Sequence, residues 1–516
     1  MHKQKKVITL KILDCTLRDG GYYTKWDFDT DLVNHYLESL LHFPITYVEL
    51  GYRSPSQKEY FGEFFYLPTS TLKKFIHYKD QLQFSIMLNL KDVSLTLLDQ
   101  LLEPCRGIIS LVRLAVNPFD IDDLHHIIQK IKDMEFKVAV NIMYFSTINL
   151  QTDKKILNFL INLKNIDYFY VVDSFGAMFP KDVAKTISYF KKHTSYQLGF
   201  HAHNNLELAF SNTLTAIEYG ADIVDATITG MGRGAGNLKT EILLAYITKK
   251  TSKDTPLIHL SYLLEEFYKL QNEKKWGTSF PYIISANFNL HQGKVMNLIS
   301  KNRYNIRQIV DFLSASKKTN NLKSIKNIKQ FENYKNILIL GGGPSLFKYK
   351  DDLNTFVKEN NCLVIFSSTK SLQSNVCGKK NIHVISGIEF EKYKASLDTI
   401  SIIPDLFILP PDTADIQPTA LDKKLSYFRV PHNFNQKLNF ESPLLISLIF
   451  ANLLNKSTVY LAGFDGYKQH KNISNNNLSQ ENQKIINFFS KSKNLISLTP
   501  TGYYNLDVIS LYSCLK

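Results

Sequence analysis

A chain of 516 residues exceeds one ordinary domain, leaving room for a barrel of about 250 residues plus at least one further unit. With 44% hydrophobic and 21% charged residues it reads as globular rather than disordered, and no apolar run reaches the ~20 residues of a bilayer span. The excess of 61 Lys and Arg over 47 Asp and Glu is dispersed among asparagines and isoleucines, with no basic helix or aromatic-interleaved patch, so no nucleic-acid partner is predicted.

The basic stretch Met1 to Lys11 passes straight into a strand-like run without an h-region, which predicts a cytoplasmic protein. Cys15, Cys105, Cys362, Cys377 and Cys514 are odd in number and scattered, so neither a disulfide framework nor a thiolate zinc site is expected.

Eight short apolar runs alternate with helix-like segments from residue 11 to about 240. They are Ile12–Cys15, Tyr47–Leu50, Phe84–Leu88, Leu111–Val116, Lys137–Ile142, Phe169–Asp173, Leu198–His201 and Ile223–Thr227. Near-continuous hydrophobicity marks parallel strands buried on both faces, and eight βα units predict a (β/α)8 TIM barrel over residues 8–245. Pro180 suits the first position of one intervening helix. Residues 246–315, with Tyr262–Leu270 and Trp276, read as a helical extension or lid, and the Lys/Asn-rich stretch 316–335 as a linker. A second α/β unit, 336–516, opens at Asn336–Leu340 and continues with Leu363–Phe366, Ile382–Ile385, Leu406–Leu409 and Thr458–Ala462. The predicted class is α/β: a TIM barrel with a helical extension, then a Rossmann-like α/β domain.

Polar residues gather at the C-terminal ends of the barrel runs: Arg18 and Asp19, Glu49, Arg113, Asp173 and Ser174, His201, His203, and Asn237. Barrel active sites sit on that face. Residues i and i+2 of a strand share a face, so His201 and His203 can reach one ion, or can equally be structural histidines. With Asp19 and the amide oxygen of Asn237 they form an oxygen and nitrogen set with open positions, suited to Mg2+ or Mn2+. The stretch Gly230-Met231-Gly232-Arg233-Gly234-Ala235-Gly236-Asn237 could cradle phosphate, but lacks a P-loop ending; its expected role is a sharp turn that aims Asn237.

Asp14-Cys15-Thr16-Leu17-Arg18-Asp19-Gly20, Gly199–Leu206 and Gly230–Asn237 together resemble the DRE-TIM (HMGL-like) metallolyases. Val171–Met178 and the Gly-Met-Gly-x-Gly-Ala-Gly-Asn form are most similar to the 4-hydroxy-2-oxovalerate aldolase branch. The resemblance covers about residues 8–245 and implies a divalent-metal-dependent C–C lyase acting through a pyruvate-type enolate. In that reading Asp19, His201 and His203 hold Mn2+ or Mg2+ with Asn237 near or on it. Arg18 stabilises the enolate oxygen, Ser174 meets the substrate carboxylate, and Glu49 orients Arg18 or a water, unless it is a surface carboxylate. The aldolase branch carries a histidine base after Arg-Asp-Gly, where this chain has Gly21-Tyr22-Tyr23-Thr24-Lys25-Trp26. Tyr22 or Tyr23 moves the proton or packs a lid, with water or a group from elsewhere as the other options. The synthase branch has Gly-Glu-Gln here, so acyl-CoA-dependent lyase or synthase chemistry is the alternative rather than the first expectation.

In the second unit, Gly341-Gly342-Gly343-Pro344-Ser345 after a strand offers backbone amides to phosphate. With Tyr460–Tyr467, which includes Asp465, it resembles Rossmann-like pterin diphosphokinase and sialyltransferase-type domains. That implies a nucleotide or nucleotide-sugar near Gly341, Gly343, Ser345 and Asp465, with unusual-sugar or surface-polysaccharide synthesis as the setting and a nucleotide-sugar-dependent transferase as a second alternative. A docking domain of a homo-oligomer fits equally, and His432 is either a base or structural.

Overall fold

A computed structural model describes residues 10–121, 123–251, 257–301, 303–314, 323–324, 328–410, 426–431, 438, 441–455, 458–466 and 473–515. The chain divides into two compact units, residues 1–296 and 297–516, and the division falls inside helix Gln292–Ser300.

The first unit is a closed barrel of eight parallel strands in sequence order. They are β1 (Lys11–Asp14), β2 (Tyr47–Tyr52), β3 (Gln83–Asn89), β4 (Ile109–Val116), β5 (Lys137–Ile142), β6 (Tyr168–Asp173), β7 (Gln197–Ala202) and β8 (Ile223–Ala226). Each of the eight apolar runs lies on one of them. β1 pairs with β8, which closes the ring and brings the two ends of the barrel sequence side by side.

The surrounding helices follow their apolar spacing. Helix Leu124–Asp133 buries Leu124, Ile127, Ile128 and Ile131, one stripe at i, i+3, i+4 and i+7, each worth roughly 2 kcal/mol of burial. Helix Pro180–His193 starts with proline where no backbone donor is needed, and the Asp182 carboxylate accepts from Phe179 N at 3.0 Å. The bore is filled from Leu13, Cys15, Tyr47, Leu111, Ala139, Tyr168, Tyr170, Val172 and Ile223. Gly199 is needed here: a Cβ would lie 2.5 Å from the Tyr170 ring. The Glu49–Gly51 register shift against β3 lies at the mouth of the bore.

The second unit is one nine-stranded parallel sheet in the order β17-β16-β15-β10-β11-β12-β13-β14-β9. Its strands are β9 (Lys323–Ser324), β10 (Asn336–Leu340), β11 (Cys362–Phe366), β12 (Asn381–Val384), β13 (Leu406–Leu409), β14 (Ser426–Arg429), β15 (Thr458–Ala462), β16 (Asn494–Ser497) and β17 (Asp507–Val508). Ile337 and Ile339 enter one core while Leu338 and Leu340 enter another, as alternate residues of a strand covered on both faces must. Four strands were not predicted. β9 and β17 are two-residue edge strands, and β14 and β16 are too short and polar to stand out by hydrophobicity. β9 lies in the stretch read as a linker. Among the described residues, no helix is long and apolar enough to cross a membrane.

Candidate active site

Helix Thr16–Thr24 follows β1 immediately and carries Arg18 and Asp19 in its first turns, so both enter the barrel mouth from its rim. The Arg18 Nε–H donates to Glu49 Oε2 at 2.7 Å and Nη1 to Asp19 Oδ1 at 2.7 Å. Glu49 is fully buried. It also accepts from Arg113 Nη1 at 3.0 Å, and Arg113 Nη2 reaches Asp225 Oδ2 at 2.5 Å. The Arg113 guanidinium lies 4.4 Å from the Tyr170 ring centroid. Burial opposes charge on Arg113, and the two carboxylates overcome it, holding the guanidinium above its ordinary range.

Asp225 continues the network to His201, whose Nδ1 lies 2.9 Å from Asp225 Oδ2. An ionised carboxylate only accepts, so Nδ1 carries the proton and Nε2 presents its lone pair, 3.6 Å from Asp19 Oδ2. His203 is set the same way by a backbone carbonyl: Nδ1 donates to Asp173 O at 2.9 Å. Burial, then the neighbouring His201, push His203 down to about 4, so it is neutral and able to ligate. Burial opposes the Asp19 charge as well, but Arg18 and the two imidazoles hold the carboxyl below its usual range. The histidine ring centroids are 5.0 Å apart.

Asn237 arrives from the glycine-rich loop. Gly230, Gly234 and Gly236 all have positive φ, and a Cβ on Gly236 would sit 2.2 Å from Gly230 O. Asn237 is bridged to His203 in the backbone, and its Nδ2 donates to Asp19 Oδ2 at 2.5 Å. Its Oδ1 is buried without a partner. That orphaned oxygen, Asp19 Oδ2 and two Nε2 lone pairs fit a divalent cation with open positions. The Cys15 thiol, Asp19 and His201 lie within 4.8 Å of one another. Burial pushes that thiol well up, and it donates to Ala226 O, so it stays protonated and the donor set is oxygen and nitrogen.

The cavity above these groups is small, about 40 Å3, and is lined by Arg18, Asp19, His201, His203, Ser174 and Tyr22 among others. Ser174 Oγ accepts from Tyr144 N at 2.8 Å, leaving its own proton for another acceptor. Tyr22 meets Tyr52, oxygen to oxygen, at 3.4 Å. Tyr23 is not brought to this cavity: its hydroxyl donates to Gly234 O at 2.9 Å and its ring packs toward Trp276. Burial pushes Tyr23 far above the ordinary phenol range, which places it with packing rather than proton transfer.

In the second unit, Gly341, Gly343 and Ser345 follow β10 and Asp465 follows β15, neighbours at the carboxyl edge where strand order reverses. Ser345 N donates to Asp465 Oδ2 at 2.8 Å and Ser345 Oγ to Asp465 Oδ1, so the loop's anion position holds a carboxylate of the chain itself. His432 lies outside the described residues.

A family model described as HMGL-like matches residues 119–272. Curated 4-hydroxy-2-oxovalerate aldolases of Thermomicrobium roseum and Pelotomaculum thermopropionicum are 54% and 52% identical over 83 residues, which is 16% of this chain and 23% and 24% of theirs. The chain thus spans about a quarter of the length of the curated relatives it matches. The crystal structure of the N-terminal domain of a candidate aldolase from Bacteroides vulgatus is 40% identical, with a TM-score of 0.52, over 58% of this chain and 99% of that one. The chain belongs to the HMGL-like family.

The DRE-TIM metallolyase resemblance of the sequence therefore stands. This HMGL-like site also contains residues that sequence reading passed over. Asp225 and Asn141 lie inside the apolar runs Ile223–Thr227 and Lys137–Ile142 and were not singled out there. His291 and Gln292 lie in no motif at all, yet both line the cavity. Asn141 Oδ1 and both amide atoms of Gln292 are buried without partners.

Proposed function

We propose that the barrel is a divalent-metal-dependent carbon–carbon lyase of the 2-oxo-acid aldolase type. It cleaves a 4-hydroxy-2-oxo acid to pyruvate and an aldehyde, or joins them. The observation that carries this reading is the convergence of Asp19, His201 and His203, from opposite ends of the barrel sequence, beside an arginine whose orientation is fixed. Asp19, His201, His203 and Asn237 would hold Mn2+ or Mg2+. Such an ion, when bound, supplies Lewis-acid polarisation of the 2-oxo acid.

The chain's own residues supply the rest. Two of the five guanidinium N–H groups of Arg18 are engaged by Glu49 and Asp19, which leaves three to stabilise an oxyanion developing at the keto oxygen. Ser174 Oγ–H is free to donate to the substrate carboxylate. Proton transfer falls to a cavity-lining group, Tyr22 with its Tyr52 partner or the His291 imidazole.

Exchange of the pyruvate methyl protons with solvent, followed with and without Mn2+, tests the reading without knowledge of the aldehyde. The wild type is expected to exchange only with the ion, and Asp19→Asn and His201→Ala to lose exchange. Undiminished exchange in either variant would overturn the assignment.

A nucleotide or phosphosugar at Gly341, Gly343, Ser345 and Asp465 is the companion proposal for the second unit. Their position at a topological switch point supports it. Because Asp465 fills the loop, the ligand has to displace that carboxylate or bind through a cation on it.

A further inference from the structure

Half-buried Arg233 stands apart from the buried guanidiniums of the barrel. Arg18 and Arg113 each touch two carboxylates, and Arg53 donates to four backbone carbonyls. Arg233 makes no side-chain hydrogen bond or ion pair among the described residues; its near neighbour is the Tyr22 ring, 5.1 Å from the guanidinium carbon, and Asp19 acts on it only through longer-range attraction. A half-buried cation without an acceptor marks a place where a ligand can complete the pairing.

The surroundings point the same way. Arg233 Nη2 would lie 2.9 Å from a Cβ on Gly293, so the guanidinium rests over the first residues of helix Gln292–Ser300. A cation against the positive end of a helix is unfavourable unless an anion joins them. Gln292, 3% exposed, lines the same cavity with neither amide atom partnered. The His291 ring, held edge-on to Tyr144 at 5.0 Å, borders it too. These groups come from the β8 loop and residues 291–293, whereas Ser174, the carboxylate-binding candidate for the 2-oxo acid, comes from the end of β6.

We infer that Arg233, with Gln292, reads a second anionic group on the substrate, so that the aldehyde partner of the lyase carries a carboxylate or a phosphate. The inference rests on the lyase reading above. In the condensing direction, C3 of pyruvate loses a proton to the enzyme's base and bonds to the aldehyde carbon. The aldehyde oxygen takes up a proton, and the charged tail is unchanged in the 4-hydroxy-2-oxo acid product.

The test compares acceptors in the Mn2+-loaded full chain with pyruvate: succinic semialdehyde against butanal, and glyceraldehyde 3-phosphate against glyceraldehyde. At least one anionic acceptor is expected to exceed its neutral counterpart in kcat/KM by about tenfold to a hundredfold, the worth of one charge-assisted contact. Whichever pair shows the preference distinguishes carboxylate from phosphate. Arg233→Ala should bring that ratio toward one, and Arg233→Lys should restore part of it. Equal use of neutral and anionic acceptors by a wild type that exchanges pyruvate protons overturns this inference and leaves the lyase standing. A rise in pyruvate KM in Arg233→Ala that is the same for every acceptor also overturns it, by assigning Arg233 to the pyruvate carboxylate. Absence of exchange in the wild type removes the lyase reading and this inference with it.

Discussion

His201 can offer Nε2 to a cation only because Asp225 occupies Nδ1, and Asp225 is held in turn by Arg113. Asp225→Asn keeps the shape but removes the charge, leaving Arg113 with Glu49 alone. Stability should fall by roughly 3–5 kcal/mol in a urea melt, as for a broken buried pair. Mn2+ affinity should drop about 10–100-fold by titration, as for a lost orienting partner. Unchanged affinity would show that His201 needs no orienter. Arg18→Ala removes the oxyanion donor and should slow pyruvate exchange by on the order of 3 kcal/mol or more in barrier height. In the second unit, His383 is wholly buried, between Phe366 O and Thr369 Oγ1, and burial pushes it down from 6.5 to about 4. Between those values the unfolded chain binds a proton that the folded chain refuses. Its contribution is therefore full above pH 6.5 and lost as pH falls toward 4, about 3 kcal/mol in all. His383→Gln should flatten the acid limb of the stability curve; an unchanged limb would exclude His383 as its source.

The glycine-rich loop after β8 acts as one element. Its positive-φ glycines fold it back so that Asn237 N meets Gly230 O at 3.0 Å and the Asn237 side chain meets Asp19. Gly236→Ala places a methyl group 2.2 Å from Gly230 O at a φ of 80°. Left-handed strain of about 1–3 kcal/mol plus that clash should shift Asn237 and weaken Mn2+ binding while the barrel's far-UV circular dichroism persists. Retained Mn2+ affinity would mean that Asn237 is not needed near the ion. The loop's turn was legible in the sequence because glycine spacing encodes backbone conformation directly. Tyr22 and Tyr23, by contrast, were indistinguishable as neighbours in the sequence. Their consecutive positions on one helix send one ring to the cavity and the other to Gly234 and Trp276.

At the scale of the molecule, the two units have separate apolar cores: the barrel's lies within the first unit, and two others cover the nine-stranded sheet of the second. A chain ending at Ser300 keeps the barrel, the part of the extension up to residue 300 and the whole helix that presents Gln292. It is expected to fold and to exchange pyruvate protons at the wild-type rate, as measured by circular dichroism and nuclear magnetic resonance. Loss of exchange in a folded fragment would make the second unit part of the catalytic machinery.

Hydrophobic run lengths and glycine positions are local properties. The eight barrel strands, five strands of the second sheet, and the Arg18–Asp19, His201–His203 and Asn237 motifs could therefore be read from residue order alone. The edge strands β9 and β17 could not, since two residues carry no periodicity and are strands only through their neighbours' hydrogen bonds. Nor could the Glu49–Arg113–Asp225 relay, or the unpaired Arg233 beside Gln292. Whether a charge is satisfied depends on which side chains close a barrel brings within 3 Å of one another, across sequence separations of 64 and 112 residues in that relay. The sequence determined which groups were available for the chemistry. Ring closure between β1 and β8 decided which of them face one another.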